Sequence, residues 1–129
     1  MAAPAGNVIT GLNLANGATS NAPNPFPVSK RNIGVAVTVY SHYAATAATT
    51  GVDLLVAYSI DGGLTYSDPA SLGIPTTPTP SSVSAVTSQK VKTILNDGSY
   101  VTHIQFSVKN LDGTNHADDV EVLAIGISN

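Results

Sequence analysis

A chain of 129 residues carries a formal charge of −3, from eight acidic side chains against five basic ones, and has no cysteine. This inventory excludes disulfides, thiolate catalysis and cysteine zinc sites, and it disfavours nucleic acid as a partner. The length suits one domain, which would bury about 68% of the surface its unfolded chain exposes.

The N-terminus MAAPAGNVIT has no basic region followed by an apolar run, and nowhere does the apolar sequence approach the length of a membrane span. No export signal and no membrane partner are therefore expected. Residues 1–30 read as an extended N-terminal arm and loop, with a strand around Val8–Leu14 followed by the breaker-rich NGATSNAPNPFPVSK. An arm that orders on binding can lay a strand on a neighbour's sheet edge, so Val8, Ile9, Leu12, Leu14 and Phe26 are the candidate assembly contacts. Residues 31–129 read as a single β-sandwich domain.

From Ile33, IGVAVTVYSHY places Ile33, Val35, Val37 and Val39 on one face and Gly34, Ala36, Thr38 and Tyr40 on the other, the period of a strand. AATAATTG is short, Thr-rich and uncapped, and is expected to be a loop rather than a helix. VDLLVAYSI alternates Val52, Leu54, Val56, Tyr58 and Ile60 against Asp53, Leu55, Ala57 and Ser59. Apolar residues on both faces mark it as a central strand. SDPASLGIPTTPTPSS carries four prolines, each of which removes a ladder donor, and reads as a long surface loop. VSAVTSQKVKTIL is a further strand, ended by the Asp-Gly turn signal in NDGSY. In YVTHIQFSVK, Tyr100, Thr102, Ile104, Phe106 and Val108 point inward and Val101, His103, Gln105, Ser107 and Lys109 outward; VEVLAIGIS closes the chain as a strand. Six to eight strands and no convincing helix predict an all-β fold, an antiparallel β-sandwich or jelly-roll-like domain.

The densest short stretch is SIDGGLTY, where Ser59, Asp61, Gly62, Gly63, Thr65 and Tyr66 have the chemistry of a built turn. Asp61 can accept from backbone N–H groups, the glycines can take positive φ, and Tyr66 can pack beneath the hairpin. This stretch resembles an Asp-box, the structural hairpin motif of sialidases and other β-propellers, with Tyr66 where Trp is commoner. A propeller needs many copies and this chain has one, so the resemblance implies a turn at 59–66 rather than sialidase chemistry.

LDGTNHADD gathers Asp112, Asn115, His116, Asp118 and Asp119. Hard cations want several oxygens, which makes Asp112, Asn115, Asp118 and Asp119 a candidate cation site, against the alternative of a solvated hairpin loop. The spacing departs from the EF-hand pattern. His103 lies on a solvent-facing strand position, and His42 sits at a strand end near Tyr40 and Tyr43. No nucleophile–histidine–carboxylate set, paired carboxylates or phosphate loop can be assembled, so no enzyme activity, resident metal or cofactor is expected.

The stretches MAAPAGNV, VAYSIDGGLTYSD and FSVKNLDGTNHADDVEVLAIGIS resemble in texture the small β-sandwich virion proteins of tailed bacteriophages, of the capsid decoration and head or tail accessory type. The resemblance implies a capsid-exterior location, a trimer or other homo-oligomer, and a major capsid or other virion protein as partner. A charge density of only 10% fits such a role, since it leaves little repulsion between copies. The competing reading is a carbohydrate-binding or adhesive module using Tyr40, Tyr43, Tyr58 and Tyr66 with the acidic loop at 112–119. A phage coat or tail structural protein is a further alternative. The coat proteins of single-stranded RNA phages fit poorly, because they end in helices and face RNA with basic residues.

Overall fold

Alternation along residues 32–43 puts Val35, Val37, Val39 and Tyr43 on one side of a strand, none more than 2% exposed, and half-buried Ala36, Thr38, Tyr40 and His42 on the other. Similar half-buried patterns recur along the chain and generate its architecture. The computed structural model describes residues 5–20, 25–28, 32–73, 75–78, 86–95 and 101–128. Strands follow in the order β1 (Ala5–Leu14), β2 (Phe26–Pro27), β3 (Asn32–Tyr43), β4 (Val52–Ser59), β5 (Ala70–Ser71), β6 (Val86–Leu95), β7 (His103–Asn110) and β8 (Ala117–Ser128). No helix occurs among the described residues.

The strands form two antiparallel four-stranded sheets, β1-β8-β3-β6 and β2-β7-β4-β5. The fold is an all-β sandwich. Between the sheets, Val35, Val37, Val39, Val120, Val122 and Ala124 face Val52, Leu54, Val56, Ile104, Phe106 and Val108. Each large aliphatic or aromatic side chain buried there contributes about 1.5–3 kcal/mol. Phe26 meets Phe106 edge-on at 6.4 Å between centroids, as their ring quadrupoles prefer.

Three expectations change. Residues 5–14 join the sandwich as edge strand β1, paired with β8 from Ala5↔Ile125 to Leu14↔Ala117. Ile9, Leu14 and Phe26 are 6%, 5% and 5% exposed in the chain's own core, and Leu12 packs against it. These residues are therefore not free arm contacts: β8 offers Ile9, Leu12 and Leu14 a ladder, β7 offers one to Phe26, and the core gives all four an apolar seat. The side chain of Val8 and residues 1–4, 21–24 and 29–30 lie outside what is described. The second change is in β4, whose alternation breaks after Val56: Ala57 and Ser59 are buried, Tyr58 is half-buried, and Ile60 leaves the strand at 73% exposure. The third lies in the proline-rich loop, where β5 and the segment after it return to the edge of β4. The amides of Leu72 and Thr76 donate to the carbonyls of Leu54 and Val52, each at 2.9 Å. The turn expected at 96–100 and residues 79–85 lie outside the described set.

Candidate functional site

The hairpin after β4 is held by one carboxylate and one hydroxyl. Ser59 Oγ donates to Asp61 Oδ1 at 2.7 Å and accepts from the Gly63 amide at 2.9 Å. Asp61 also accepts from the Thr65 amide at 3.0 Å and from Thr65 Oγ1 at 2.6 Å, while the Gly62 amide donates to Thr102 Oγ1 at 3.0 Å. Gly62 and Gly63 take φ of 78° and 90°, which Cβ-bearing residues avoid. Hydrogen bonds from Thr65, first through its side chain and then its backbone, and from Ser59 lower the Asp61 carboxyl to about 2. Of the predicted turn residues, Ser59, Asp61, Gly62, Gly63 and Thr65 thus share one network, and Tyr66 stands outside it. The Tyr66 hydroxyl is buried without a partner beside Gly63, against which the His103 ring also packs.

The turn bonds its polar groups to one another and leaves two large apolar side chains exposed. Ile60 and Leu64 stand 73% and 84% exposed on the same short hairpin. Isolated exposed aliphatics are ordinary on protein surfaces, whereas these two share one hydrogen-bonded turn. The sequence pattern concealed this, because Ile60 continues the Val52–Tyr58 alternation on paper.

A second surface lies on the outer face of the β1-β8-β3-β6 sheet. Leu123 and Ile125 are 37% and 40% exposed there, opposite Thr38 and Ala36 of β3. Further along the same face Tyr40 pairs with Glu121, and His42 with Asp119. Among the described residues of β3 and β8, the uncharged side chains of this face thus lie at one end and the ionisable ones at the other.

The acidic residues of 112–119 do not converge. Asp112 is 4% exposed, and its Oδ1 accepts from the amides of Thr114 and Asn115 at 2.9 and 2.7 Å, capping its own turn. Burial works to raise its carboxyl, but hydrogen bonds from Asn115, Thr114 and Thr49 overcome this and hold it below the ordinary value. Asp118 Oδ2 accepts from the Ala44 amide at 2.6 Å, and Asp119 Oδ1 is buried without a partner. Among the described residues no three His, Cys, Asp or Glu side chains gather as a metal site.

Behind this loop lies a polar node that the alternation pattern gave no sign of. Asn110, fully buried, accepts from the Tyr43 hydroxyl at 2.6 Å and from the Asp112 amide at 3.1 Å. Its Nδ2 reaches the carbonyls of Leu14, Ala15 and Asn115 at 3.3, 3.3 and 2.9 Å. Burial, then the Asp112 charge, push the Tyr43 phenol up. The four tyrosines of the carbohydrate reading are thus not one platform: Tyr43 is a core residue, Tyr40 is on the outer face of one sheet, and Tyr58 and Tyr66 belong to the other sheet and its hairpin.

No protein-family model matches the chain, and no curated protein matches it. Among solved structures it is similar to the Eiger TNF of S. frugiperda at a TM-score of 0.58 and 11% identity, over 100% of this chain and 95% of that one. That likeness concerns the fold. More distant are PRD1 vertex protein P5, with a TM-score of 0.41 at 14% identity over 98% and 96% of the two chains, and a family 35 carbohydrate binding module from Clostridium thermocellum, with 0.34 at 14% over 93% and 90%.

Proposed function

We propose that this chain is a non-enzymatic structural protein of a virion, a decoration or cement protein that docks as a homo-oligomer on the exterior of a phage capsid. The observation that carries the reading is the pinned hairpin tip. Ile60 and Leu64 are held out at 73% and 84% exposure by a turn whose polar groups bond to one another. A docking contact loses affinity to the ordering of loops and side chains, and a tip ordered before the encounter avoids most of that loss. Aliphatic anchors seated in a partner's pocket are also where binding energy concentrates. The bacteriophage-like texture of the sequence and the low charge of the chain support the same assignment.

The test is particle-based. Virions of the phage that encodes the chain are expected to carry it in stoichiometric amount. Particles lacking its gene should release DNA at lower temperature than wild-type particles, and added protein should restore them, whereas the Ile60→Ser/Leu64→Ser double variant should not. Virions without the chain, or deletion particles of unchanged heat resistance, would refute the role.

A further inference from the structure

We infer that Asn16 is a site of spontaneous covalent modification, converting to isoaspartate or aspartate through a cyclic imide with Gly17 when its turn opens, and that the folded sandwich holds this reaction back. Asn16 and Gly17 make the one Asn-Gly pair in the sequence, and both are exposed. Glycine hinders the ring closure least, because it has no side chain to shield its nitrogen.

The chemistry needs only water. The Gly17 nitrogen gives up its proton and bonds to Asn16 Cγ, while the Cγ–Nδ2 bond breaks and the side-chain nitrogen leaves as ammonia. Water then opens the five-membered imide at either carbonyl. Opening at the main-chain carbonyl leaves the backbone running through Cγ, which is isoaspartate, and opening at Cγ leaves ordinary aspartate.

The fold opposes the first step in three ways. The Ala18 amide donates to the Ala15 carbonyl at 3.0 Å, closing a turn in which Gly17 has a φ of 71° and Asn16, like every described non-glycine residue, has no positive φ. That combination is a type II turn, with ψ of about +120° at its first central residue. The imide closes only with the Gly17 nitrogen eclipsing Cβ, so ψ must first leave that value. The attacking and leaving groups are also held: the Gly17 amide donates to the Asp112 carbonyl at 3.1 Å, and Asn16 Nδ2 to the Gly113 carbonyl at 3.1 Å.

Modification would loosen the join between the sheets. The turn carries the chain from β1 of one sheet to residues 18–20 beside β7 of the other. There the Asn110 amide donates to the Ala18 carbonyl at 2.9 Å and the Ser20 amide to the Val108 carbonyl at 2.8 Å. Isoaspartate inserts a methylene into the backbone between these anchors, and either product sets a carboxylate against the Gly113 carbonyl where an amide had donated.

The full chain, incubated folded and in urea at mildly alkaline pH and then mapped by tandem mass spectrometry, tests this. In urea, conversion is expected at Asn16 well ahead of the other asparagines, and Gly17→Ala should slow it. In the folded chain Asn16 should convert more slowly by about tenfold or more, the effect of keeping two hydrogen bonds and a turn closed. An Asn16 no faster than the other asparagines in urea would overturn the site, and equal rates in the two conditions would overturn the protection. Asn16→Ala and Asn16→Asp both lose the donor, but only the second adds an acceptor facing Gly113. Asn16→Asp is therefore expected to melt about 2 °C or more below Asn16→Ala, and equal midpoints would refute the loosening.

Discussion

Replacing Asn110 by Ala tests whether one buried amide knits three parts of the sandwich. The substitution takes the acceptor from the Tyr43 hydroxyl and from the Asp112 amide, both buried, and the donor from the carbonyls of Leu14, Ala15 and Asn115. An orphaned buried polar group costs about 1–3 kcal/mol. With two principal orphans and weaker losses at the carbonyls, the expected destabilisation is about 3–5 kcal/mol. Tyr43→Phe is the control: it deletes the hydroxyl but leaves Asn110 Oδ1 with the Asp112 amide, so about 1–1.5 kcal/mol is expected. In a thermal melt these become drops of about 9–25 °C and about 3–7 °C, taking about 3–5 °C per kcal/mol for a domain of this size. An Asn110→Ala midpoint no lower than that of Tyr43→Phe would refute the reasoning, since the amide would then matter only as the phenol's partner.

Gly51→Ala should be among the most damaging small substitutions. The added Cβ would run into the Thr76 side chain and backbone, displacing the hydroxyl that bonds Ser41 and the Val52 amide. A loss of more than about 2 kcal/mol in urea denaturation is expected, the scale of core overpacking. Asp61 supplies a pH signature. Its folded value of about 2 lies below the ordinary 3.8, so its contribution to stability is complete above 3.8 and fades as pH falls toward 2. Carbon-detected titration should place the Asp61 midpoint near 2, and Asp61→Asn should flatten the acid limb of the stability curve between pH 3.8 and 2. The Ile60→Ser/Leu64→Ser variant should melt within about 0.5 kcal/mol of wild type, as exposed sites do, so any loss of docking is not a loss of fold.

The strand architecture was legible because period two is a local property: 32–43 and 103–110 show their inward faces in the order of their own residues. The 59–66 turn was legible for the same reason, since its donors and acceptors lie within a few residues of one another. What local pattern could not supply was long-range partnership. Ile9 and Leu14 belong to the core because β8, more than a hundred residues later, leaves them a ladder to join. Asn110 looked like the end of a strand, and only the return of Leu14, Ala15 and Tyr43 to its side makes it a node. Asp112 looked like a ligand because acidic residues crowd near it, but a carboxylate whose oxygens already accept from Thr114 and Asn115 is a cap. By itself, then, the sequence determined the all-β class and the turn chemistry, which depend on neighbours along the chain. The tertiary structure decided which apolar residues are buried and which are presented, because exposure depends on what the rest of the chain places against them.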